Sequence, residues 1–353
     1  MNTRQIPGRD KIGSLAPGEY KTFEGTEISI ENCLKAKVKD LVVEGKTYQN
    51  LCIEDTSNEK SSLNFSNYSM FKTETYYTII LEITVDNASQ INLAFNNSSQ
   101  VLISTKGHNK GIYKFKVRNT NTSLGQISSV NILSLKQEGY NTCLFKNVTV
   151  LEGDYTNIDL PNSINGIESV SERENNVLSV KINDNTTTLN LPIPLRSLPN
   201  GTCDTIEGNK LAQRVGAVLL NGTQDMTLAN VNQTLTTRVR IRMDNAKVSK
   251  NNLICKWFIR TGAHGDYEYI IIQDSSAGIC LFISVLNTKL DTVDLNGIEK
   301  YFKENPLIVY YELATPIIHD LEIPSISTTK GTNTITTTNN IKPKLSMKVK
   351  VEK

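Results

Sequence analysis

Apolar and polar residues alternate along much of the chain, and this pattern of period two predicts β-strands. The longest example occupies residues 77–85, where every second position is apolar, and shorter runs follow at 91–95 and 113–118. Turn-forming residues separate these runs, with Asn and Ser at 96–99 and two glycines within 106–111. Strands at this spacing, with turns between them, predict a β-sandwich in the middle of the chain.

Alternation also predicts strands in the C-terminal part of the chain, at 211–220, 236–243, 253–260, 267–273, 279–286, 307–313 and 344–351. Residues 294–302 have helical periodicity instead, because Asp294 is a suitable N-cap and Ile298 and Phe302 fall on one face. Gly297 is an unfavourable residue in that helix. The predicted fold is all-β, with tandem jelly-roll-like β-sandwich domains and one short helix near the C-terminal end.

Changes of composition divide the chain into four predicted segments. They are an N-terminal segment (1–52), the middle β-sandwich (53–155), a connector (156–191) and a C-terminal β-sandwich (192–353). Proline and glycine punctuate the start of the first segment, which contains short predicted strands at 27–30 and 40–43. The connector holds a short predicted strand at 177–182, which is followed by a polar tract at 183–188.

The overall composition is that of a soluble globular protein. The 353 residues are 38% hydrophobic and 21% charged, and the chain is long enough for two or three domains with hydrophobic cores. A net charge of +2 provides no general attraction to nucleic acid or to a membrane surface. The chain has no apolar run of membrane-spanning length, and residues 1–8 lack the apolar segment of a signal peptide. We therefore expect assembly in a cytoplasm, with no nucleic-acid partner and no membrane insertion.

Cysteine and histidine usage argues against a metal site, a cofactor and a familiar catalytic motif. The six cysteines are scattered without a Cys-x-x-Cys pair, so we expect reduced thiols and no structural zinc. The three histidines are His108, His264 and His319, and none lies in a nucleophile-elbow or metalloprotease motif. We therefore predict no catalytic residue and no enzyme activity. A glycosidase remains an alternative, because its two carboxylates can come from distant strands.

Two predicted strands each present three cations on one face. The two sets are Arg238, Arg240 and Arg242 in one strand, and Lys114, Lys116 and Arg118 in the other. A guanidinium binds phosphate through a planar fork of N–H groups, so the arginine set is a candidate contact for an anionic polymer such as teichoic acid. A solvated strand face, or a salt-bridged contact between subunits, is the alternative interpretation of either set.

The single tryptophan provides a second candidate site. Trp257 precedes a turn at 261–267 that contains His264, Asp266 and Tyr267. Aromatic rings stack on the apolar faces of sugars, and neighbouring polar groups orient the bound ring. We therefore predict a glycan-binding patch here. The alternative is that Trp257 is a core residue and that the loop is only a hairpin turn.

Two strings of sequence resemble a known family. PLRSLPNGTCD at residues 194–204 and NPLIVYYELATP at residues 305–316 resemble the C-terminal module of minor structural proteins in phage tails, from phages that infect low-GC Gram-positive bacteria. GKTYQN at residues 45–50 looks like a recurring element in the N-terminal parts of such tail proteins. Residues 145–154 are similar to the last strand of carbohydrate-binding jelly-roll modules.

The resemblance implies a component of the tail tip or baseplate of a phage, a prophage or a phage-tail-like bacteriocin. Residues 1–52 would then be a tail-attachment segment, and the partners would be other tail proteins and host cell-wall polysaccharide or teichoic acid. The protein would be assembled in the host cytoplasm and act at the outer surface of the host. The resemblance also implies a homotrimer, since tail fibres and tips commonly close with cyclic symmetry. The sequence has no heptad repeats for a coiled coil, so we expect the trimer to form through β-domain faces. The alternatives are a baseplate scaffold that binds no glycan and a glycan depolymerase.

Overall fold

The computed structural model describes residues 9–12, 20–24, 27–33, 36–66, 70–95, 99–119, 129–156, 160, 167–169, 176–229, 234–249, 252–255, 268–337 and 345–351. Within these residues the protein is all-β, with mainly antiparallel sheets and one α-helix, which confirms the predicted fold class. The chain forms two compact units. The first comprises Met1–Thr47, Glu168–Gly216 and Tyr311–Lys353, and the second comprises Tyr48–Ile167 and Ala217–Tyr310. Neither unit is a single stretch of chain.

One sheet of the first unit is assembled from distant parts of the sequence. Its strands are β1 (Arg9–Ile12), β3 (Glu27–Cys33), β14 (Val177–Ile182), β15 (Asn185–Asn190) and β24 (Gly331–Thr337). Their spatial order is β1-β3-β24-β14-β15. In the middle of the sheet, Ile335 pairs with Ile28 on one side and with Ile182 on the other. The first and last segments of the chain are therefore joined by strand pairing.

A second sheet packs against the first in the same unit. Its strands there are β2 (Tyr20–Glu24), β4 (Ala36–Glu44), β16 (Thr205–Glu207), β17 (Lys210–Leu220), β23 (Leu307–Asp320) and β25 (Leu345–Val351). The order is β2-β25-β4-β16-β17-β23. Val43 and Ile206 from this sheet share one buried cluster with Val180 and Ile335 from the other. Burial of both inner faces in one core makes the unit a β-sandwich.

The string at 194–204 closes against the turn that follows β4. Gly45 donates its backbone N–H to the carbonyl oxygen of Asp204 at 2.8 Å. A Cβ atom at Gly45 would lie 2.6 Å from the carbonyl oxygen of Arg196, so only glycine allows this backbone approach. The side chain of Asp204 is fully buried and accepts N–H groups from its own string and from β17. The string therefore has a structural role.

The second unit contains the sandwich that was predicted for the middle of the chain. Its strands are β6 (Ser62–Asn64), β7 (Tyr76–Ile83), β8 (Ile91–Phe95), β9 (Ser99–Ile103), β10 (Gly111–Arg118), β11 (Val130–Ser134) and β12 (Phe145–Glu152). They form sheets of order β10-β7-β12 and β6-β11-β8-β9. Phe65, Phe71, Tyr77 and Phe95 pack together between the sheets with ring centroids 5.2–6.2 Å apart. The predicted inner positions of β7 and β8 are buried, and the intervening positions of β8 are buried as well.

A further sheet completes the second unit. Its strands are β18 (Met226–Leu228), β19 (Thr236–Arg242), β21 (Tyr269–Ser275) and β22 (Gly278–Leu286), in the order β18-β19-β22-β21. β20 (Ile254–Cys255) pairs with the first residues of β23, where Ile254 faces Tyr310. A 3-10 turn at Asn287–Lys289 then leads towards the helix α1 (Leu295–Glu304). Two short strands, β5 (Thr47–Gln49) and β13 (Ile167–Ser169), lie where the chain passes between the units.

Two local predictions have different outcomes. The helix is confirmed, because Asp294 caps it by accepting the N–H of Gly297 at 2.9 Å, and Ile298 and Phe302 are buried. The polar tract at 183–188 lies mostly in the strand β15, in a hairpin with β14 that turns at Asn183 with φ of +52°. β15 is the last strand of its sheet, so a largely polar sequence suffices once one residue is buried.

Candidate functional site

The predicted glycan patch in the C-terminal part of the chain is not described by the structure. Trp257, His264, Asp266 and Tyr267 all lie outside the described residues. Their role in sugar binding therefore stays a prediction. The structure does describe the strand that carries Arg238, Arg240 and Arg242 and the strand that carries Lys114, Lys116 and Arg118.

The three arginines of β19 lie on one face of the sheet but differ in exposure. Arg242 is exposed, and its Nε is 2.8 Å from the carboxylate of Asp244. Arg240 is partly buried, and its Nε donates to Thr227 Oγ1 at 3.0 Å. Arg238 is only 8% exposed. The set is therefore not a continuous exposed surface for phosphates, because its first member is buried.

Arg238 lies above an aromatic surface in the interior. Its guanidinium carbon is 4.3 Å from the ring centroid of Phe282 and 5.5 Å from that of Tyr269. Both rings belong to a small buried cluster that also contains Ile271 and Cys280. Burial lowers the pKa of Arg238 from its usual value, since a charged group loses its hydration there. Cation–π contact compensates part of that loss.

Two of the three cations of the second basic strand are paired with carboxylates at the surface, and the third donates to a backbone carbonyl. The pairs are Lys114 Nζ with Tyr155 O (3.2 Å), Lys116 Nζ with Asp154 Oδ2 (2.5 Å) and Arg118 Nη2 with Glu74 Oε2 (2.7 Å). Lys116 and Arg118 also lie over the ring of Tyr76, at 4.5 and 5.3 Å from its centroid. This pairing is typical of a solvated strand face, which was the alternative interpretation of the pattern.

A different set of aromatic residues lies at one end of the middle sandwich. We define the loop-end aromatic cluster as His108, Tyr113 and Phe115. The rings of Tyr113 and Phe115 are stacked with centroids 6.2 Å apart and an interplanar angle of 24°. The imidazole of His108 meets Tyr113 edge-on at 4.5 Å. All three residues are only partly buried, so part of this aromatic surface is open to solvent.

Backbone hydrogen bonds hold the loops around the cluster in place. Ala88 donates to the carbonyl of His108 at 2.8 Å, and Gly107 donates to the carbonyl of Ala88 at 2.8 Å. The backbone N–H of Asn141 donates to the carbonyl oxygen of Asn87 at 3.0 Å. The loop that contains Asn141 is thereby joined to the loops that contain Ala88 and His108. The exposed polar side chains of this end are Asp86, Asn87, Asn109, Lys110 and Asn141. A fixed aromatic surface is thus bordered by groups that can donate and accept hydrogen bonds.

Sequence reasoning placed Tyr113 and Phe115 on the inner face of their strand but did not identify them as a site. The inner placement is correct, since both pack against the core of the middle sandwich. They remain partly exposed because β10 is an outer strand of a three-stranded sheet. Alternation reveals which face a residue is on, and it does not reveal whether the strand is central. A histidine in a glycine-flanked turn just before two alternating aromatic residues was the available indication.

No family model, curated protein or solved structure matches this chain. Among the described residues, no helix is long and apolar enough to cross a membrane. The same residues contain no group of three His, Cys, Asp or Glu side chains that could hold a metal ion. The five cysteines with described side chains are Cys52, Cys143, Cys203, Cys255 and Cys280, and all five are free thiols.

Proposed function

We propose that this protein is a structural component of the tail tip or baseplate of a phage or phage-tail-like particle, and that it contributes to binding of a host cell-surface glycan. The resemblance of residues 194–204 and 305–316 to tail proteins supports the assignment to a tail tip or baseplate. The all-β architecture of sandwich units supports it further, since rigid sandwiches present loops at their ends for recognition. The protein would be part of the virion tail, assembled in the host cytoplasm and active at the outer host surface.

The loop-end aromatic cluster is the observation that carries the glycan-binding part. Stacked, partly exposed rings can cover the apolar face of a sugar, and the polar side chains on the surrounding loops can hydrogen-bond its hydroxyl groups. The loops are held by backbone hydrogen bonds, so little conformational entropy is lost on binding. The two basic strands are weaker candidates for the first contact with a glycan. The cations of β10 already have partners, and Arg238 of β19 is buried.

Calorimetry with purified host cell-wall polysaccharide tests this proposal. We expect saturable binding by the native protein, and a loss of about tenfold in affinity for Tyr113→Leu, equivalent to about 1.4 kcal/mol. Leucine keeps the apolar contact with the core but cannot stack on a sugar. Tyr76→Leu is the matched control, because Tyr76 is 41% exposed on the outer face of the same sheet. Equal losses in both variants would contradict the assignment of the cluster.

The alternatives give different results in the same samples. A scaffold that binds no glycan would give no heat with any host polysaccharide, and its partners would be other tail proteins. A depolymerase would release reducing ends from the polymer over time. Saturable binding without release of sugar supports a binding protein and contradicts both alternatives.

The proposal includes assembly into a homotrimer through β-domain faces. Ile317 and Ile318, in the last part of β23, are 43% and 54% exposed and point to opposite faces of the strand, so each face presents one large apolar side chain that is available for a subunit contact. Light scattering after size exclusion should give three times the chain mass of 39.3 kDa. A single-chain mass at micromolar concentration would contradict the trimer and leave the glycan-binding test unaffected.

A further inference from the structure

Arg238 has an unused hydrogen-bonding edge in the interior of the second unit. Its Nε and Nη2 atoms are shielded from solvent, and neither has a hydrogen-bond partner among the described residues. These two atoms form one side of the guanidinium, with two N–H groups pointing in the same direction. We call this side the fork edge of Arg238. Among the described residues, the groups recorded around this guanidinium are the aromatic rings of Phe282 and Tyr269 and no carboxylate.

A second unpaired polar group belongs to the residue that faces Arg238 on the neighbouring strand. Ser284 faces Arg238 across the β19–β22 pairing and is completely buried. Its Oγ likewise lacks a hydrogen-bond partner within the described part of the chain. Ser284 is also paired with Tyr269 on its other side, and the guanidinium lies over Phe282 and next to Tyr269. The arginine head is therefore held above the strand that carries Ser284.

Such an arrangement is costly unless something supplies the missing acceptors. Each buried donor without a partner loses its hydrogen bonds to water and gains none in return, and a buried charge without a counter-charge costs more still. The large majority of buried side-chain polar atoms in proteins are paired, so two unpaired residues that face each other on neighbouring strands are informative. The two parallel N–H groups of a guanidinium edge match two oxygens of a carboxylate or phosphate group, which binds in a bidentate manner. A serine hydroxyl on the facing residue can donate one more hydrogen bond to such a group.

We propose that the fork edge of Arg238 and the hydroxyl of Ser284 form a binding site for one oxyanion group, a phosphate or a carboxylate, of an external ligand. Arg240 follows on the same strand face and adds positive charge towards the surface, whereas the charge of Arg242 is paired with Asp244. The site is separate from the loop-end aromatic cluster, and it adds recognition of an anion to the proposed binding of a glycan. Because both donors are shielded, neighbouring side chains must move before an anion enters, and binding should be slow.

Nuclear magnetic resonance of the arginine Nε–H groups tests the site directly in the full-length protein. Arginine-labelled protein is titrated in parallel with inorganic phosphate, acetate and chloride at equal ionic strength. We expect the Arg238 Nε–H resonance, identified by its absence in Arg238→Lys, to shift saturably with phosphate or acetate and not with chloride. The anion that saturates at lower concentration identifies the ligand class, either a phosphodiester polymer or an acidic sugar.

Variants distinguish an anion-binding arginine from one with only a structural role. Because Arg238→Lys removes the Nε–H group itself, binding to the variants is followed through the backbone amide resonances of Phe282 and Ser284. Arg238→Lys keeps the charge but loses the parallel N–H pair, so affinity should fall at least about tenfold. Ser284→Ala keeps Arg238 and should weaken binding about two- to tenfold, which preserves the test if Arg238→Lys does not fold. Arg242→Lys is the matched control and should change affinity less than about twofold.

Three results would overturn the site. Equal shifts with phosphate, acetate and chloride would show only screening of charge. An Nε–H resonance that responds to no anion would show that none of the three anions reaches the fork edge. Unchanged affinity in both Arg238→Lys and Ser284→Ala would place the bound anion elsewhere. None of these results would affect the calorimetric test of the loop-end aromatic cluster.

Discussion

Thr47 and Ser197 exchange two hydrogen bonds, each residue using its backbone N–H and its side-chain hydroxyl. The N–H of Thr47 donates to Ser197 Oγ at 2.9 Å, and the N–H of Ser197 donates to Thr47 Oγ1 at 2.9 Å. Both residues are only 8% exposed. The exchange joins the string at 45–50 to the string at 194–204 within the first unit. It gives these sequence features a shared structural role.

We expect the Thr47–Ser197 exchange to be strongly coupled. Ser197→Ala leaves the buried N–H of Thr47 without its acceptor and should lower the free energy of unfolding by about 1–3 kcal/mol. Thr47→Val should have a similar effect on the N–H of Ser197. In the double variant the two losses should differ from additivity by about 0.5–3 kcal/mol. Urea unfolding followed by circular dichroism measures all three values.

Thr186→Val is the control for the Thr47→Val substitution. Thr186 is exposed in β15, and its loss should change stability by less than about 0.5 kcal/mol. Additive losses at Thr47 and Ser197 would show that the two hydrogen bonds do not act as one unit.

The buried carboxylate of Asp204 should be essential for the first unit. Its Oδ1 accepts the N–H groups of Arg214 and Val215 at 2.7 and 2.8 Å, and its Oδ2 accepts that of Arg196 at 2.8 Å. Burial raises the pKa of this carboxyl, against the opposite effect of the three donors. Asp204→Asn replaces one oxygen by a donor, so one N–H loses its acceptor and unfolding free energy should fall by about 1–3 kcal/mol.

The same substitution at an exposed aspartate provides the comparison for Asp204. Asp184 is exposed in the β14–β15 turn, and Asp184→Asn should change stability by less than about 0.5 kcal/mol. Equal midpoints of urea unfolding for the native protein and Asp204→Asn would mean that the three N–H groups do not depend on this carboxylate.

Gly297 should resist a substitution that normally favours helices. Replacing glycine by alanine inside a helix gains about 1 kcal/mol from intrinsic propensity. Here a Cβ atom would overlap the carbonyl oxygen of Thr292, a backbone atom in the segment before the helix. We therefore expect Gly297→Ala to lower the unfolding free energy by about 1–3 kcal/mol in thermal or urea unfolding.

Asn296→Ala, at the exposed neighbouring position, should be neutral or stabilising by about 0.5 kcal/mol. A stabilising Gly297→Ala would contradict this close approach.

Asp154 provides a prediction of pH dependence. Hydrogen bonds from Lys116 and then Thr156 lower the pKa of Asp154 to about 2. A carboxyl whose pKa is lowered on folding stabilises the protein above the unfolded pKa of about 3.9, and this contribution is lost as the pH falls towards 2. Lys116→Met should raise the pKa of Asp154 towards 3.8, with Thr156 still holding it below that value.

Carboxyl carbon resonances measured between pH 1 and 6 test the Asp154 prediction. Lys114→Met is the control, because Lys114 lies on the same face of β10 and donates to Tyr155 O instead. It should leave the titration of Asp154 unchanged. Equal pKa values for Asp154 in the native protein and in Lys116→Met would remove the ion pair as the cause.

Local patterns predicted the elements of this fold well where each residue is placed by its own strand or helix. The alternation at 77–85 gave the correct inner face of β7, because side chains in a strand point alternately to opposite sides. Asp294 was identified as the helix cap from its residue type and its position. The polar tract at 183–188 was not recognised as mostly strand, because the outermost strand of a sheet needs few apolar residues.

The sequence by itself determined the all-β class, the middle sandwich, the short helix and the shared face of Arg238, Arg240 and Arg242. Tertiary structure alone decided that β24 pairs with β3 and β14, and that Arg238 is buried while Arg242 is exposed. Periodicity is a property of neighbouring residues, whereas pairing and burial depend on segments far apart in the chain. For the same reason, only the folded structure revealed the loop-end aromatic cluster and the unpaired fork edge.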